Sequence, residues 1–253
     1  MPGLSVSKPL ALLIPGLDGT GRLFYRQIDP LAEAYRVRPY EFGTRAEFTL
    51  EDLTRELGQA TAGEPDHSIL VVGESFGGLI AIDYAVNYPE RMRQLVLVNA
   101  FPYYHRRLRI RLARALARLL ERRAARRIKN YIVDRILRRE GILLQDRERY
   151  KDIIRRIDRP AYLRRLQLVQ ELDLRPRLRE INVPCILLAG GRDKIVPSVR
   201  EARFMASRIP GARVHEFPGA GHALLLTPEV TLADYVPKRI SGTNKTVNRD
   251  ADS

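Results

Sequence analysis

The sequence contains few of the residues that cross-link chains or hold metal ions. Among 253 residues it has one cysteine, four histidines and no tryptophan. A single cysteine excludes a disulfide within the chain, and the absence of a Cys/His cluster argues against a zinc site. We predict no metal site. Cys185 lies in the apolar run VPCILLAG, where we expect a small buried side chain.

A long hydrophobic segment is also missing from the N-terminal region. One cation, Lys8, precedes a short apolar run that leads directly into a glycine turn. This run is too short for the hydrophobic region of a signal peptide or for a membrane span. The sequence therefore predicts a cytoplasmic protein.

Acidic residues are scarce in one segment of the chain. Residues 101–180, termed the basic insertion, carry 23 arginines and 2 lysines against 10 acidic residues, and they account for the net charge of +14. We predict three parts. They are an α/β core formed by residues 1–100 and 181–236, the basic insertion, and a disordered tail at 237–253 that lacks apolar periodicity.

Apolar runs that alternate with helical patterns indicate the fold. Most runs are continuous, as expected for a parallel sheet that is covered on both faces. We predict an α/β fold with a doubly wound, mostly parallel sheet of about six strands. The basic insertion is expected to add a helical lid. The predicted strands are 10–16, 35–42, 68–73, 94–101, 183–190 and 212–217, and the predicted helices are 22–34, 50–61, 76–88 and 198–209.

Two helix starts are suggested by capping patterns. In SVRE, Ser198 and Glu201 have the spacing of a capping box. In TPE, Thr227 is expected to cap a further helix that has Pro228 in its first turn.

A lone serine stands between glycines in the stretch VVGESFGG, where a predicted strand meets a predicted helix. Only a sharp turn fits at this junction, so Ser75 is expected to be strained, with its hydroxyl held above the sheet. Gly73 and Gly77 avoid a collision across the turn, and Gly78 lets the helix approach the sheet. The amide of Phe76 would then point towards an oxyanion formed at Ser75. The pattern predicts a nucleophilic serine.

A serine nucleophile needs a histidine base and a carboxylate that orients the histidine. His222, in FPGAGHALLL, follows the last predicted strand at the edge where such sheets bind ligands. Asp193, in LAGGRDKIVP, likewise follows the predicted strand 183–190. The order Ser75, Asp193, His222 along the chain therefore predicts a catalytic triad.

The motifs GESFGG, GGRDKIVP and GAGH resemble those of the α/β-hydrolase superfamily, and the resemblance covers residues 9–100 and 181–236. The segments PGLDGTG and GESFGG look most like those of bacterial hydrolases related to plastid esterase and acyltransferase enzymes. The resemblance implies the same triad of Ser75, Asp193 and His222. It also implies that this chain begins at the third strand of the full fold, and hence a sheet of six strands.

The loop IPGLDGTG after the first predicted strand allows two interpretations. By resemblance it supplies a second oxyanion donor, the amide of Leu17, although Pro15 replaces the histidine of the His-Gly-x families. Asp18 would oppose an oxyanion if its carboxylate faced the site. The alternative is a phosphate cradle, but the loop lacks the Lys-Ser/Thr of a P-loop, and no acidic residue falls clearly at a ribose-binding position. We predict no cofactor.

These residues predict a hydrolase of carboxylic esters or acyl thioesters that works through an acyl-enzyme on Ser75. His222 would be the base and Asp193 the orienting acid. Two alternatives keep the same residues: an acyltransferase in which an alcohol replaces water, and a hydrolase fold that only binds a ligand. A serine nucleophile argues against dehalogenase and epoxide-hydrolase chemistry.

The basic insertion begins with an amphipathic helical pattern. The simplest expectation is that its apolar stripe packs on the core while its arginines face water. The alternative is that the stripe lines an acyl pocket and the arginines attract an acidic partner, such as an acyl carrier protein or an anionic membrane surface. No nucleic-acid reading motif accompanies the charge, so a nucleic-acid partner is not expected. The stripe is Leu108, Leu112, Leu116 and Leu119, the arginines are Arg107, Arg111, Arg114 and Arg118, and a second stripe is Ile128, Ile132 and Ile136.

Overall fold

The computed structural model describes residues 8–119, 127, 131, 133, 137 and 142–237. The predicted tail therefore lies almost wholly outside the described residues, and so do parts of the basic insertion. Within the described ranges, no helix is both long enough and apolar enough to cross a membrane.

Six parallel strands form one sheet in the order β2-β1-β3-β4-β5-β6, which confirms the predicted sheet. The chain places β2 on one side of β1 and all later strands on the other side. The loops after β1 and β3 therefore lie side by side at the carboxyl edge, the usual place for a ligand site. The strands are β1 (Leu10–Ile14), β2 (Arg36–Pro39), β3 (Ile69–Glu74), β4 (Met92–Val98), β5 (Cys185–Gly190) and β6 (Arg213–Phe217).

Both faces of the four inner strands, β1, β3, β4 and β5, are largely buried, which explains why their apolar runs are continuous. Along β1, Leu10, Leu12 and Ile14 enter one hydrophobic core, whereas Ala11 and Leu13 enter the other. Side chains alternate between the two faces of a strand, so a strand that is covered on both sides needs an apolar residue at every position.

Helices cover the two faces and complete the doubly wound fold. The helices α2, α3 and α7 pack on one face, and α1 packs on the other together with the short 3-10 turns at Leu224–Leu226 and Leu232–Tyr235. Between β4 and β5, the described part of the basic insertion holds α4 to α6. The helices are α1 (Tyr25–Ala32), α2 (Leu50–Ala60), α3 (Phe76–Asn87), α4 (Arg107–Leu119), α5 (Leu144–Arg155), α6 (Arg159–Glu171) and α7 (Ser198–Ala206).

The prediction that the leucine stripe of α4 packs on the core is wrong for the leucines whose side chains are described. Leu108 and Leu112 are 65% and 63% exposed, whereas Ile110 is buried. The helix is amphipathic as predicted, but it turns the opposite face towards the protein. The side chains of Leu116 and Leu119, like the second stripe at 128–136, fall outside the described residues.

Two of the arginines predicted to face water instead hold α4 in place. Arg107 donates to the carbonyl of Leu172 at 3.0 Å, and Arg114 donates to the side chains of Gln167 and Gln170 at 2.8 and 2.9 Å. Because a guanidinium can satisfy several acceptors while its stem packs on apolar surface, α6 binds the arginine face of α4.

Both predicted capping sites are also wrong. Helix α7 has Pro197 at its N-cap with no side-chain cap, and Ser198, one position later, donates its hydroxyl to Asp193. Thr227 starts no helix and follows the 3-10 turn at Leu224–Leu226.

Candidate active site

Ser75 occupies the strained turn between β3 and α3 that the sequence predicts. Its backbone angles are φ 52° and ψ −114°, and its amide donates to the carbonyl of Val98 at 2.9 Å. A non-glycine residue in such a conformation costs about 1–3 kcal/mol, so the surrounding structure must hold it there. The turn sets the serine at the carboxyl edge of the sheet.

Close contacts around the turn require glycine at two positions. A Cβ on Gly77 would lie 2.3 Å from the carbonyl oxygen of Ile14, and one on Gly78 would lie 2.4 Å from the Cβ of Ala100. Helix α3 therefore approaches the ends of β1 and β4 more closely than any side chain would allow. Phe76 starts this helix, and the first amides of a helix have no acceptor within it.

Asp193 and His222 lie together on the loops after β5 and β6. His222 Nδ1 is 2.7 Å from Asp193 Oδ2, and the carboxylate side chain is fully buried. Asp193 also accepts hydrogen bonds from the amides of Ile195 and Val196 at 2.8 and 3.0 Å. The predicted acid–histidine pair is therefore in contact, at the same sheet edge as Ser75.

The environment of Asp193 favours the charged carboxylate. Burial by itself would raise the pKa of Asp193, but the charge and hydrogen bond of His222, the hydroxyl of Ser198 and the amide of Val196 hold this pKa below its usual value. An ionised Asp193 fixes the proton of His222 on Nδ1, which leaves Nε2 as a proton acceptor. The pair can therefore serve as a general base.

Asn99, which the sequence analysis did not single out, connects three of these loops. It follows β4 directly, with φ 45°, and its side chain is buried. Its Nδ2 donates to the carbonyls of Gly221 and His222 at 2.9 and 3.0 Å, and its Oδ1 accepts from the amide of Gly190 at 2.8 Å. A polar residue directly after a buried strand was the available signal. Asn99 fixes the positions of the loops that carry Asp193 and His222.

The loop after β1 forms a tight turn next to this edge. The amide of Gly19, at φ +73°, donates to the carbonyl of Gly16 at 3.1 Å, and Leu17 lies partly buried within the turn. Arg165 of α6 donates from Nε to the carbonyl of Leu17 at 3.0 Å and from Nη2 to that of Asp18 at 3.3 Å. The basic insertion thus contacts the predicted oxyanion loop directly.

Two acidic groups lie beside the turn. Asp18 accepts from the amide and hydroxyl of Thr20 at 3.0 and 2.7 Å, and burial raises its pKa. Burial of the Glu74 carboxyl, followed by the charge of Asp18, raises the pKa of Glu74 to about 7. The charge of His222 and a hydrogen bond from the amide of Gly16 oppose this rise. Burial therefore disfavours the charged form of both carboxyl groups relative to a carboxyl group in water.

Among the residues that the structure describes, no group of three or more histidine, cysteine or acidic side chains is arranged to bind a metal ion. Cys185 is buried on β5, as predicted, and burial raises the pKa of its thiol to about 12.

A parallel doubly wound sheet with a strained serine after one strand and a paired histidine and aspartate after later strands defines the class of α/β hydrolases. Residues 11–234 match the alpha/beta hydrolase family. The chain therefore belongs to this family, as its motifs predicted.

Curated relatives cover most of the chain at modest identity. A putative carbamate hydrolase RutD of Yersinia enterocolitica is 26% identical over 232 residues, which make up 85% of this chain and 81% of that protein. A pimeloyl-(acyl-carrier protein) methyl ester esterase of Nitrosomonas europaea is 29% identical over 213 residues, 79% of this chain and 83% of that protein. The names of these relatives agree with hydrolase chemistry.

Solved structures share the fold. An esterase from Exiguobacterium antarcticum has a TM-score of 0.76 at 17% identity and covers 87% of each chain. The enol-lactonase from Burkholderia xenovorans LB400 has a TM-score of 0.69 at 22% identity, with 86% of this chain and 85% of that chain covered.

Proposed function

We propose that this protein is a serine hydrolase that cleaves carboxylic esters or acyl thioesters through an acyl-enzyme on Ser75. The observation that carries the proposal is the hydrogen bond of 2.7 Å between His222 and the buried carboxylate of Asp193, at the sheet edge where Ser75 is held at φ 52°. A serine hydroxyl is a weak nucleophile by itself, and such a pair supplies the base that activates it.

In the acylation step, His222 Nε2 takes the proton of the Ser75 hydroxyl while Oγ attacks the carbonyl carbon. The carbonyl oxygen becomes an oxyanion, which accepts hydrogen bonds from the amides of Leu17 and Phe76. When the oxyanion collapses, the bond to the leaving oxygen or sulfur breaks. Protonated His222 gives its proton to the leaving alcohol or thiol, and the acyl group stays on Ser75 as an ester. Asp193 stays ionised throughout and stabilises the charged imidazole.

In the deacylation step, His222 removes a proton from water and the hydroxide attacks the acyl-Ser75 ester. Collapse of the second oxyanion returns the proton to Ser75 Oγ and releases the carboxylic acid. An alcohol in place of water would yield a new ester, so the same residues would catalyse acyl transfer. Product analysis with and without an added alcohol distinguishes the two reactions.

Substitution of the three side chains tests the proposal. Ser75→Ala, His222→Ala and Asp193→Asn should each lower kcat by about 10⁴-fold or more while leaving the protein folded, as shown by circular dichroism. Ser68→Ala, which removes an exposed hydroxyl bonded to the carbonyl of Pro65, is the matched control. Near-full activity of folded Asp193→Asn would show that the acid is misassigned.

Substrate class and catalytic competence need separate measurements. A panel of aryl esters and acyl thioesters of graded chain length identifies the preferred leaving group and acyl length. A fluorophosphonate that labels wild-type protein but not Ser75→Ala indicates an active nucleophile. Labelling without hydrolysis of any ester or thioester in the panel would instead favour a module that binds its ligand without turnover.

We also propose that the exposed face of α4 receives an acyl carrier protein. Leu108 and Leu112 are exposed there, and Arg106 and Arg111 are exposed beside them. An acidic carrier would match these cations, and the name of the esterase relative from Nitrosomonas includes such a carrier. The cytoplasmic location stays a prediction that fits this partner.

A double substitution tests the carrier proposal. Arg106→Gln with Arg111→Gln should lower kcat/KM for an acyl-carrier thioester and weaken its salt dependence, while a small neutral ester is hydrolysed as before. Exposed charges are screened over about 10 Å at 0.1 M salt, so the loss for the carrier thioester should shrink as the salt concentration rises. Loss of sedimentation with anionic vesicles, with carrier kinetics unchanged, would indicate a membrane surface instead. Unchanged behaviour in both assays would leave these arginines as solvated side chains.

A further inference from the structure

Arg165 is a large cation buried at an unexpected place. It lies on α6 in the basic insertion, and only 2% of its surface is exposed. Its Nε and Nη2 donate to two successive carbonyls, those of Leu17 and Asp18, at 3.0 and 3.3 Å. Burial lowers the pKa of Arg165, whereas the charges of Asp18 and Tyr162 act in the opposite direction. The protein therefore keeps a desolvated guanidinium against one loop of the core.

The bonds of Arg165 complete the hydrogen bonding of the tight turn. Within the turn, the carbonyl of Gly16 accepts from the amide of Gly19, and Arg165 occupies the next two carbonyls. In a trans peptide the N–H points away from the C=O of the same unit. The carbonyl of Gly16 belongs to the same peptide unit as the amide of Leu17. Arg165 holds the carbonyl of Asp18, which shares a peptide unit with the amide of Gly19. This amide in turn holds the carbonyl of Gly16, so Arg165 acts on the direction of the Leu17 amide through the hydrogen bond between Gly19 and Gly16.

The loop and the guanidinium are matched in shape. A Cβ on Gly19 would lie 2.7 to 2.9 Å from Cζ, Nη1 and Nη2 of Arg165, so only glycine lets the guanidinium lie on the turn. Within the described residues, the buried Nη1 has no hydrogen-bond partner. A buried donor without a partner is costly, and native proteins rarely keep one without a reason. The two carbonyls of the loop therefore set the position of the guanidinium. In that position its Nη1 has no hydrogen-bond partner among the described residues.

A role as a simple anchor of the insertion does not require this arrangement. Neighbouring Arg164 already ties α6 to the core by donating to the carbonyl of Phe48 at 2.7 Å. An apolar side chain at position 165 would fill a buried site without the desolvation of a charge, and such replacements are often neutral for stability. What an apolar side chain could not do is hold the carbonyls of Leu17 and Asp18.

We propose that Arg165 is a positioning residue that orients the Leu17 amide for the transition state and thereby makes the reaction depend on how the basic insertion is docked. This inference rests on the proposed function, because it needs the Leu17 amide to bind an oxyanion.

The test compares an oxyanion-forming ligand with a matched ligand that forms none. A trifluoromethyl ketone adds the serine hydroxyl and becomes an oxyanion, whereas the corresponding secondary alcohol binds the same pocket without reacting. Arg165→Met should lower kcat by about ten- to a hundredfold, below the 10²–10³-fold typical of losing an oxyanion donor outright. The affinity for the trifluoromethyl ketone should fall in parallel, and KM and the affinity for the alcohol should change little. Arg165→Lys, which keeps the charge and one donor, should recover part of both losses.

Arg164→Met is the matched control, because it removes a neighbouring guanidinium that bonds the core elsewhere. It should leave the ratio of the two affinities unchanged. If Arg165→Met fails to fold, Arg165→Gln, which is neutral and polar but too short to reach both carbonyls, should produce the same selective loss. Equal losses for ketone and alcohol, or no loss for either, would refute the positioning role. Wild-type protein that binds the ketone no better than the alcohol would remove the proposed function as well, so the two failures are distinguishable.

Discussion

The carboxyl group of Glu74 should give this protein an unusual dependence of stability on pH. It directly precedes Ser75, and burial raises its pKa from 4.5 to about 7, with the charge of Asp18 acting in the same direction. The charge of His222 and the amide of Gly16 oppose the rise without cancelling it. Deprotonation of Glu74 near neutral pH therefore creates a buried negative charge beside the turn of the candidate active site, and this charge destabilises the folded protein.

The direction of the effect follows from the two pKa values. In the unfolded chain Glu74 loses its proton near pH 4.5, whereas in the folded protein it keeps the proton up to about pH 7. The folded state binds more protons in this window, so the free energy of unfolding falls as pH rises through it. A difference of about 2.5 pKa units corresponds to about 3 kcal/mol, since each unit is worth about 1.4 kcal/mol. Roughly 2.5 kcal/mol of this is lost between pH 5 and pH 8.5.

Urea unfolding of wild-type protein and Glu74→Gln at pH 5 and pH 8.5 measures this loss. Glutamine keeps the shape of the side chain but does not titrate, so the variant should gain about 2.5 kcal/mol relative to wild type between the two pH values. Glu229→Gln, which removes an exposed carboxylate, is the control and should follow wild type. If wild type and Glu74→Gln lose the same free energy between pH 5 and pH 8.5, the assigned environment of Glu74 is wrong.

Three further substitutions or treatments test the neighbouring contacts. Asn99→Ala removes the partner of the buried amide of Gly190 and should lower the free energy of unfolding by about 1–3 kcal/mol in chemical denaturation; unchanged stability would contradict the bridging role. Ser198→Ala removes a hydrogen bond of 2.5 Å to Asp193 and should lower kcat by about tenfold in steady-state assays, because a charge-assisted bond that stabilises the carboxylate is lost. A kcat equal to that of wild type would show that this bond is dispensable. Cys185 should react with a thiol reagent only after unfolding, since burial raises its pKa to about 12, and rapid labelling of native protein would refute its burial.

The apolar pattern and the motifs of the chain were enough to predict the sheet and the order of the candidate residues. Continuous apolar runs require a sheet covered on both faces, because side chains alternate between the faces of every strand. GESFGG predicted the turn at Ser75, since only small residues fit where α3 meets the sheet. Asp193 and His222 each follow a strand, so parallel pairing brings both to one edge regardless of the distance between them in the chain.

The atoms that support that site depend on contacts between segments that are far apart in the chain. The repeat pattern of α4 fixes two faces, but the acceptors that draw Arg114 inwards come from Gln167 and Gln170 on another helix. Ser198 has the local spacing of a helix cap, yet the N-cap of α7 is Pro197, and the hydroxyl of Ser198 donates to Asp193. In the sequence, nothing distinguishes Arg165 from the other arginines of the basic insertion. Its role follows from the carbonyls that it contacts, in a loop almost 150 residues earlier in the chain. A local pattern reports the preferences of a segment, whereas hydrogen bonds between distant segments depend on packing that brings donor and acceptor within about 3 Å of each other.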